Sequence, residues 1–189
     1  MIKLIVGLGN PGRQYEKTRH NAGFLFLDML VSDFGASWVK ESRFQGLLAE
    51  ITVDKQKVLL LKPDTFMNLS GQSVGKIARY YKLQPEEILV VHDELDFAAG
   101  IIKLKKDGGH AGHNGLRDII AHLGSKGFYR LRIGIGRPQG TKAVADFVLS
   151  VPSREDFQLL EVAFHHAKSF IGSMLVDDIA LVMNKINSL

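Results

Sequence analysis

Three polar segments follow or precede apolar runs in places where their side chains could move a proton. His20, in Arg19-His20-Asn21-Ala22-Gly23, stands immediately before a helical pattern, in a polar stretch that gives no reason for a core histidine. By itself it reads as an exposed loop histidine, and it gains chemical interest only with a partner. Asp93 follows the apolar run Ile88-Leu89-Val90-Val91, within His92-Asp93-Glu94-Leu95-Asp96. A carboxylate at the end of a buried strand is placed to accept a hydrogen bond from an imidazole, which fixes the tautomer and stabilises the protonated ring. The competing reading of this segment is an acidic loop. The third segment, Gly108-Gly109-His110-Ala111-Gly112-His113-Asn114-Gly115, is backbone flexible enough to bring amides and the Asn114 side chain close to a ligand, or else a plain Asn-Gly turn.

Two other chemistries use the same residues. His110 and His113 suggest a metal site, but glycines surround them and no glutamate intervenes as the helical H-E-x-x-H zinc signature requires. Gly7-Leu8-Gly9-Asn10-Pro11-Gly12 spells a dinucleotide-binding fingerprint after a strand. In that fingerprint the glycines open a helix onto the pyrophosphate, whereas Arg13 to Asn21 is polar and aperiodic and Asp28 falls within a helix. Neither a metal nor a cofactor is therefore expected. Asn10, Asn68 and Asn114 all fall at element ends that can gather on one rim, where amides both donate to a carbonyl and accept from an N–H. For Asn68 an N-cap is the simpler reading.

Net charge is +4, yet residues 101–142 alone carry +7, while residues 1–100 are balanced and the remainder is acidic. Such a concentration suggests an electropositive face for a polyanion, nucleic acid being the commonest, or a solvated surface. The alternation of Ile102 and Leu104 with Lys103 and Lys105 puts both ammonium groups on one face of a strand, and Arg132 alternates with Leu131 and Ile133 in the same way.

The elements that must position these groups follow from hydrophobic period. Ile2 to Leu8, residues 44–53 with 57–62, Ile88 to Val91, 101–105 and 130–135 read as strands. Helical spacing appears over Ala22 to Phe34, from about Asn68 to Tyr81, over 115–123, from about 154 to 172 and over Ile179 to Ile186. The expectation is α/β: a single domain over 1–189, a mixed, partly parallel twisted sheet with helices on both faces, and ligands at the carboxyl ends of strands. With 46% hydrophobic residues the chain can bury a core. The absence of cysteine excludes disulfides, thiolate metal sites and a Cys nucleophile. The apolar run at the start is too short for a signal peptide, and no run reaches eighteen residues, so a cytoplasmic protein with no membrane attachment is expected.

Taken in order, G-L-G-N-P-G at 7–12, T-R-H-N-A-G at 18–23, T-F-M-N-L-S-G at 65–71, H-D-E-L-D at 92–96 and G-G-H-A-G-H-N-G-L-R at 108–117 resemble the bacterial peptidyl-tRNA hydrolase family. The motifs carry the likeness from Ile2 to about Val151. The tail matches by length and helix pattern. The resemblance implies a single-domain enzyme that hydrolyses the ester joining a peptide to the ribose of tRNA and so recycles tRNA from aborted translation. It also implies a monomer without metal, cofactor or obligatory protein partner, whose substrate is peptidyl-tRNA.

By position the resemblance makes His20 the catalytic histidine and Asp93 its partner. Asn10, Met67, Asn68, His113 and Asn114 then line the peptide and ester site, with Tyr15 at its edge. Lys103, Lys105 and Arg132 match basic positions associated with tRNA phosphates, with Arg130 a rival to Arg132. The chemistry is self-consistent, because an ester is reactive enough for one positioned water and one base. Neutral His20 would take the water's proton, Asp93 would stabilise the imidazolium, and Asn10 or Asn114 would hold the oxyanion. An RNA-binding protein on the same fold without hydrolysis, and a dinucleotide-dependent oxidoreductase, are the alternatives from other classes.

Overall fold

In a computed structural model, which describes residues 1–176 and 178–188, the apolar run near the start forms β1 (Leu4–Gly7), every residue of it buried. The chain continues through α1 (Ala22–Asp33), β2 (Val39–Glu41), β3 (Gly46–Val53), β4 (Gln56–Pro63), α2 (Ser70–Tyr81), β5 (Ile88–Glu94), β6 (Ile102–Lys106), α3 (Asn114–Leu123) and β7 (Tyr129–Gly134). The helices α4 (Val144–Val148), α5 (Arg154–Ser169), α6 (Ile171–Val176) and α7 (Ile179–Asn187) complete it. The strands form one sheet of order β2-β3-β4-β1-β5-β7-β6. β1 lies parallel to both β4 and β5, and β7 parallel to β5, while β2, β3 and β6 pair antiparallel. The sheet is thus mixed, with its parallel strands at the centre. Three of them, β1, β4 and β5, hold the continuous apolar runs of the sequence, as covering both faces requires, while β7 alternates Arg130 and Arg132 with Leu131 and Ile133.

Side-chain alternation assigns each face its helices. Ile5, Leu89 and Val91 join a core with α1, α5, α6 and α7, including Phe26, Leu30, Phe164 and Met174. Leu4, Val6, Ile88 and Val90 point the other way, into a core with Val74 and Ile77 of α2 and Leu116 and Ile119 of α3. Helices therefore cover both faces, as expected. Three features escaped the hydrophobic pattern. β2 carries no apolar alternation to signal it, and Val39 is exposed. α4 is a short helix within the segment after β7. The helix expected to run to 172 stops at Ser169, and α6 starts afresh at Ile171.

The edge strand β6 is closed by a side chain. The Asn187 amide donates to the Leu104 carbonyl and accepts from the Leu104 N–H, both at 2.8 Å, pairing the backbone groups that an edge strand leaves open.

The start of α1 crosses the carboxyl ends of β1 and β5 at backbone contact. A Cβ on Gly23 would lie 2.3 Å from the Val91 carbonyl oxygen and 2.5 Å from the Leu8 nitrogen, and one on Gly7 would meet the Gly23 carbonyl at 2.5 Å. This approach delivers residues 19–21 to the end of the sheet. Gly23→Ala is expected to cost roughly 1–3 kcal/mol of stability through overpacking, read as a lower denaturant midpoint at unchanged m value. Gly109→Ala, where a Cβ meets nothing within 4 Å, should stay within about 0.5 kcal/mol of the parent; equal losses in both would show that the crossing is not tight.

Candidate active site

The carboxyl ends of β1 and β5, the turn before α1 and the starts of α2 and α3 meet at one end of the sheet. β5 runs through Glu94, so Asp93 is a strand residue held in register against Ile133 of β7, not part of an acidic loop. Its carboxylate is buried, and it accepts from two imidazoles: His20 Nδ1 lies 2.9 Å from Oδ2 and 3.0 Å from Oδ1, and His113 Nε2 lies 2.9 Å from Oδ1. A carboxylate can only accept, so both of these ring nitrogens carry hydrogen. In its neutral form His20 is left with an unprotonated Nε2, while His113 has an unprotonated Nδ1 that accepts from the Leu116 N–H at 3.4 Å and caps α3. Burial by itself would raise the Asp93 pKa, but the two imidazoles outweigh it and hold the carboxyl well below the usual carboxylate range. For His20, burial opposes the charged ring, and the Asp93 charge and hydrogen bond more than offset it, so its pKa is raised.

His92 lies behind this trio. Its Nδ1 donates to the Asp93 carbonyl at 2.7 Å, its ring packs edge-on against His113 at 5.0 Å, and burial with the neighbouring His113 pushes its pKa down to about 3. It is a neutral strut under the residue that pairs the two other rings.

A cleft of about 410 Å³ opens beside the trio, lined by His20, His113, Asn10, Met67, Asn68 and Asn114, with Phe66 and residues of α4 as apolar walls. Asn10 is locked in one orientation. Its Oδ1 accepts from the Met67 N–H at 2.7 Å, while its backbone N–H and C=O are paired with the Asn21 amide at 2.8 and 3.0 Å. The Asn10 side chain thus has its N–H₂ to offer, and not its oxygen. Asn68 and Asn114 are exposed and cap no helix, since the α2 cap position is Leu69 and the α3 cap is His113. The Asn-Gly turn and the Asn68 cap are both set aside by these assignments.

Asn21 was not singled out from the sequence, although it adjoins His20; its fully buried amide is what ties the turn of His20 to the end of β1. Arg19 does the same for the far wall, donating to Ser150 Oγ at 2.7 Å and to the Val151 carbonyl at 3.0 Å while lying over the Phe147 ring. Tyr15 sits half-buried in a 3₁₀ turn over Arg13–Tyr15 and is not among the residues lining the cleft.

Among the described residues one group has metal-holding convergence, and it is His20, Asp93 and His113. His110 is outside it, its Nδ1 accepting from the Gly112 N–H at 3.0 Å. The pairing of His110 with His113 as ligands is not what the fold builds.

The basic residues share one face of the β6–β7 pair, where Lys103 lies opposite Arg132 and Lys105 opposite Arg130. Arg130 is buried, donating to the carbonyls of Gly108 at 2.5 Å and Gly109 at 2.6 Å, and so fastens the glycine-rich segment that carries His113 and Asn114. Arg132 faces a broad depression together with Lys103, Lys105, Lys106 and Phe97. There Arg132 Nε donates to Glu94 at 3.0 Å, Lys103 donates to the Asn187 carbonyl at 2.6 Å, and Lys105 makes no ion pair with the described residues.

Similarity to known proteins agrees with this architecture. The peptidyl-tRNA hydrolase family profile matches residues 4–189. The chain is 54% identical over 187 residues to the peptidyl-tRNA hydrolase of Methylococcus capsulatus, covering 99% of this chain and all of that one. It is 50% identical over 189 residues to that of Dichelobacter nodosus, covering both completely. The crystal structure of peptidyl-tRNA hydrolase from Acinetobacter baumannii superimposes with a TM-score of 0.94 at 44% identity, over 99% of this chain and 95% of the other. With the motifs in order, the sheet and the cleft in place and the match running the length of the chain, this protein belongs to the peptidyl-tRNA hydrolase family.

Proposed function

We propose that this chain hydrolyses the ester between peptide and tRNA through a water activated by His20, with Asp93 holding the ring in its working tautomer. The observation that carries this reading is the Asp93 carboxylate accepting from His20 Nδ1, because it leaves Nε2 as the free lone pair of a ring that lines the cleft. Nε2 takes a proton from water as the oxygen adds to the ester carbonyl carbon. The negative charge moves onto the carbonyl oxygen, where the Asn10 amide, with Oδ1 already committed to Met67, has only N–H to present. Collapse of the tetrahedral intermediate expels the ribose oxygen, which takes the proton back from Nε2–H. Free peptide and free tRNA leave. Asn68 and Asn114 have amides available for the peptide backbone, and Phe66 with Val144 and Val148 offers apolar surface to its side chains.

His113 supports the base indirectly in this reading, by supplying the second N–H that keeps Asp93 ionised. Lys103, Lys105 and Arg132 present cations in one depression, a surface suited to tRNA phosphates, and Lys105 and Arg132 also line a smaller hollow together with His113 of the cleft. Lys105, which has neither an ion pair nor a hydrogen-bond partner among the described residues, gives up the least on binding. A monomer acting in the cytoplasm fits this reading, and no helix among the described residues is long and apolar enough to cross a membrane.

His20→Ala should lower kcat about 10²- to 10⁴-fold, the usual contribution of a general base, with tRNA affinity measured by direct binding within a few fold of the parent. Strong residual turnover would remove His20 as the base. The neutral ring is the active form and its pKa is raised, so activity should be lost as pH falls through a limb lying above the ordinary histidine value of about 6.5. In Asp93→Asn that limb should move down, with a smaller loss of kcat than in His20→Ala and the fold preserved. A limb that stays in place would separate Asp93 from the titration.

For the basic face, Lys105→Ala and Arg132→Ala should each raise KM for full peptidyl-tRNA at nearly constant kcat and flatten the log–log salt dependence by roughly 0.7–0.9. A minimal substrate carrying only the terminal nucleotides should be cleaved as by the parent. Equal damage with both substrates would assign these residues to the catalytic rim or to stability.

A further inference from the structure

The contacts that prepare His20 as a base also preform a set of metal ligands. His20 Nδ1, an Asp93 oxygen and His113 Nε2 lie within 4.8 Å of one another, and the Asp93 Oδ1 distances are 3.0 and 2.9 Å. A zinc ion with nitrogen and oxygen ligands at about 2.0–2.2 Å holds them roughly 3.3 Å apart in tetrahedral geometry, so the two Asp93 distances need to open by only a few tenths of an ångström, while the two histidine nitrogens, within 4.8 Å of each other, settle to that same spacing. The two histidines are held by separate elements, the turn before α1 and the start of α3, while Asp93 is fixed in β5. Both rings border the cleft, from which water can fill a fourth position. Two imidazoles and one carboxylate suit zinc and its neighbours far better than magnesium.

We propose that a borderline divalent ion, zinc above all, binds His20, Asp93 and His113 and switches hydrolysis off by reversing the His20 tautomer. This rests on the reading of His20 Nε2 as the base. Metal at Nδ1 takes the lone pair there, and the displaced proton moves to Nε2. A protonated Nε2 has no lone pair and takes nothing from water. At His113 the proton passes likewise from Nε2 to Nδ1, and the ring gives up its 3.4 Å contact with the Leu116 N–H. The ion sits on the Asp93 side of the ring and leaves the amides of Asn10, Asn68 and Asn114 uncovered, so the substrate still binds.

The test uses the intact chain. Zinc chloride titrated without substrate, by calorimetry, should bind as one ion per chain, and cobalt chloride should give the strong visible absorption of a tetrahedral nitrogen and oxygen site. Magnesium chloride should do neither. Zinc should then lower kcat at least about tenfold with KM within about twofold, reversed by EDTA. His113→Ala should weaken zinc binding at least about tenfold, since even outer partners of a ligand are worth about 10–100-fold. His110→Ala should leave binding and inhibition unchanged. Failure to bind, binding unaffected by His113→Ala, or dependence on His110 overturns the site and leaves the base assignment standing. Binding at the trio with full activity also overturns the switch, and there it is the role of Nε2 that fails. A rise in KM at constant kcat would place the ion in the cleft or on the tRNA, against the proposal.

Discussion

A carboxylate removed from water keeps its charge only if donors surround it, and Asp93 meets that condition with one N–H from each of two imidazoles. Much of the site follows from this single requirement. To satisfy Asp93, His20 turns its Nδ1–H inward, which orients the ring and leaves Nε2 as the unprotonated nitrogen. His113 does the same with Nε2–H, which leaves its Nδ1 to cap α3. One buried charge therefore fixes two tautomers, and through them ties the turn before α1 and the start of α3 to the end of β5.

The second condition is close backbone approach. His20 can reach Asp93 only because α1 begins where Gly23 packs against the Val91 carbonyl, with no room for a side chain on either glycine of the crossing. Asn21 and Asn10 then zip the turn to β1 with two amide hydrogen bonds, and the Asn10 side chain, fixed by the Met67 N–H, passes the constraint on to the start of α2. The polar groups around the cleft are held by one another. This is how a site built from five separate segments keeps a geometry that no single segment defines.

Arg130 links this network to the basic face. It belongs by register to the same row of cations as Lys105 and Arg132, yet its guanidinium is spent on the carbonyls of Gly108 and Gly109. Burial lowers its pKa, and the neighbouring Arg132 adds to the effect. Charge counting along the chain treats these arginines alike, while their surroundings divide them between a structural clasp and an open surface.

The sequence by itself determined β1, β4 and β5, because strands buried on both faces must be apolar throughout, and the long helices, because a helix covering one face must repeat its apolar residues every three to four positions. It also placed His20, Asp93 and the three asparagines at element ends, and the five motifs carried the family. It was silent on β2 and α4, which are too short and too exposed to leave a period. Tertiary structure alone decided that His113 donates to Asp93 instead of merely lining the cleft, that Asn21 is the tie beneath Asn10, that Tyr15 stands outside the cleft lining and that Arg130 is buried while Arg132 is not. These are contacts between residues distant in sequence, or choices between like residues on one strand. Local spacing cannot encode them, because hydrogen bonding and burial depend on which segment the fold lays alongside.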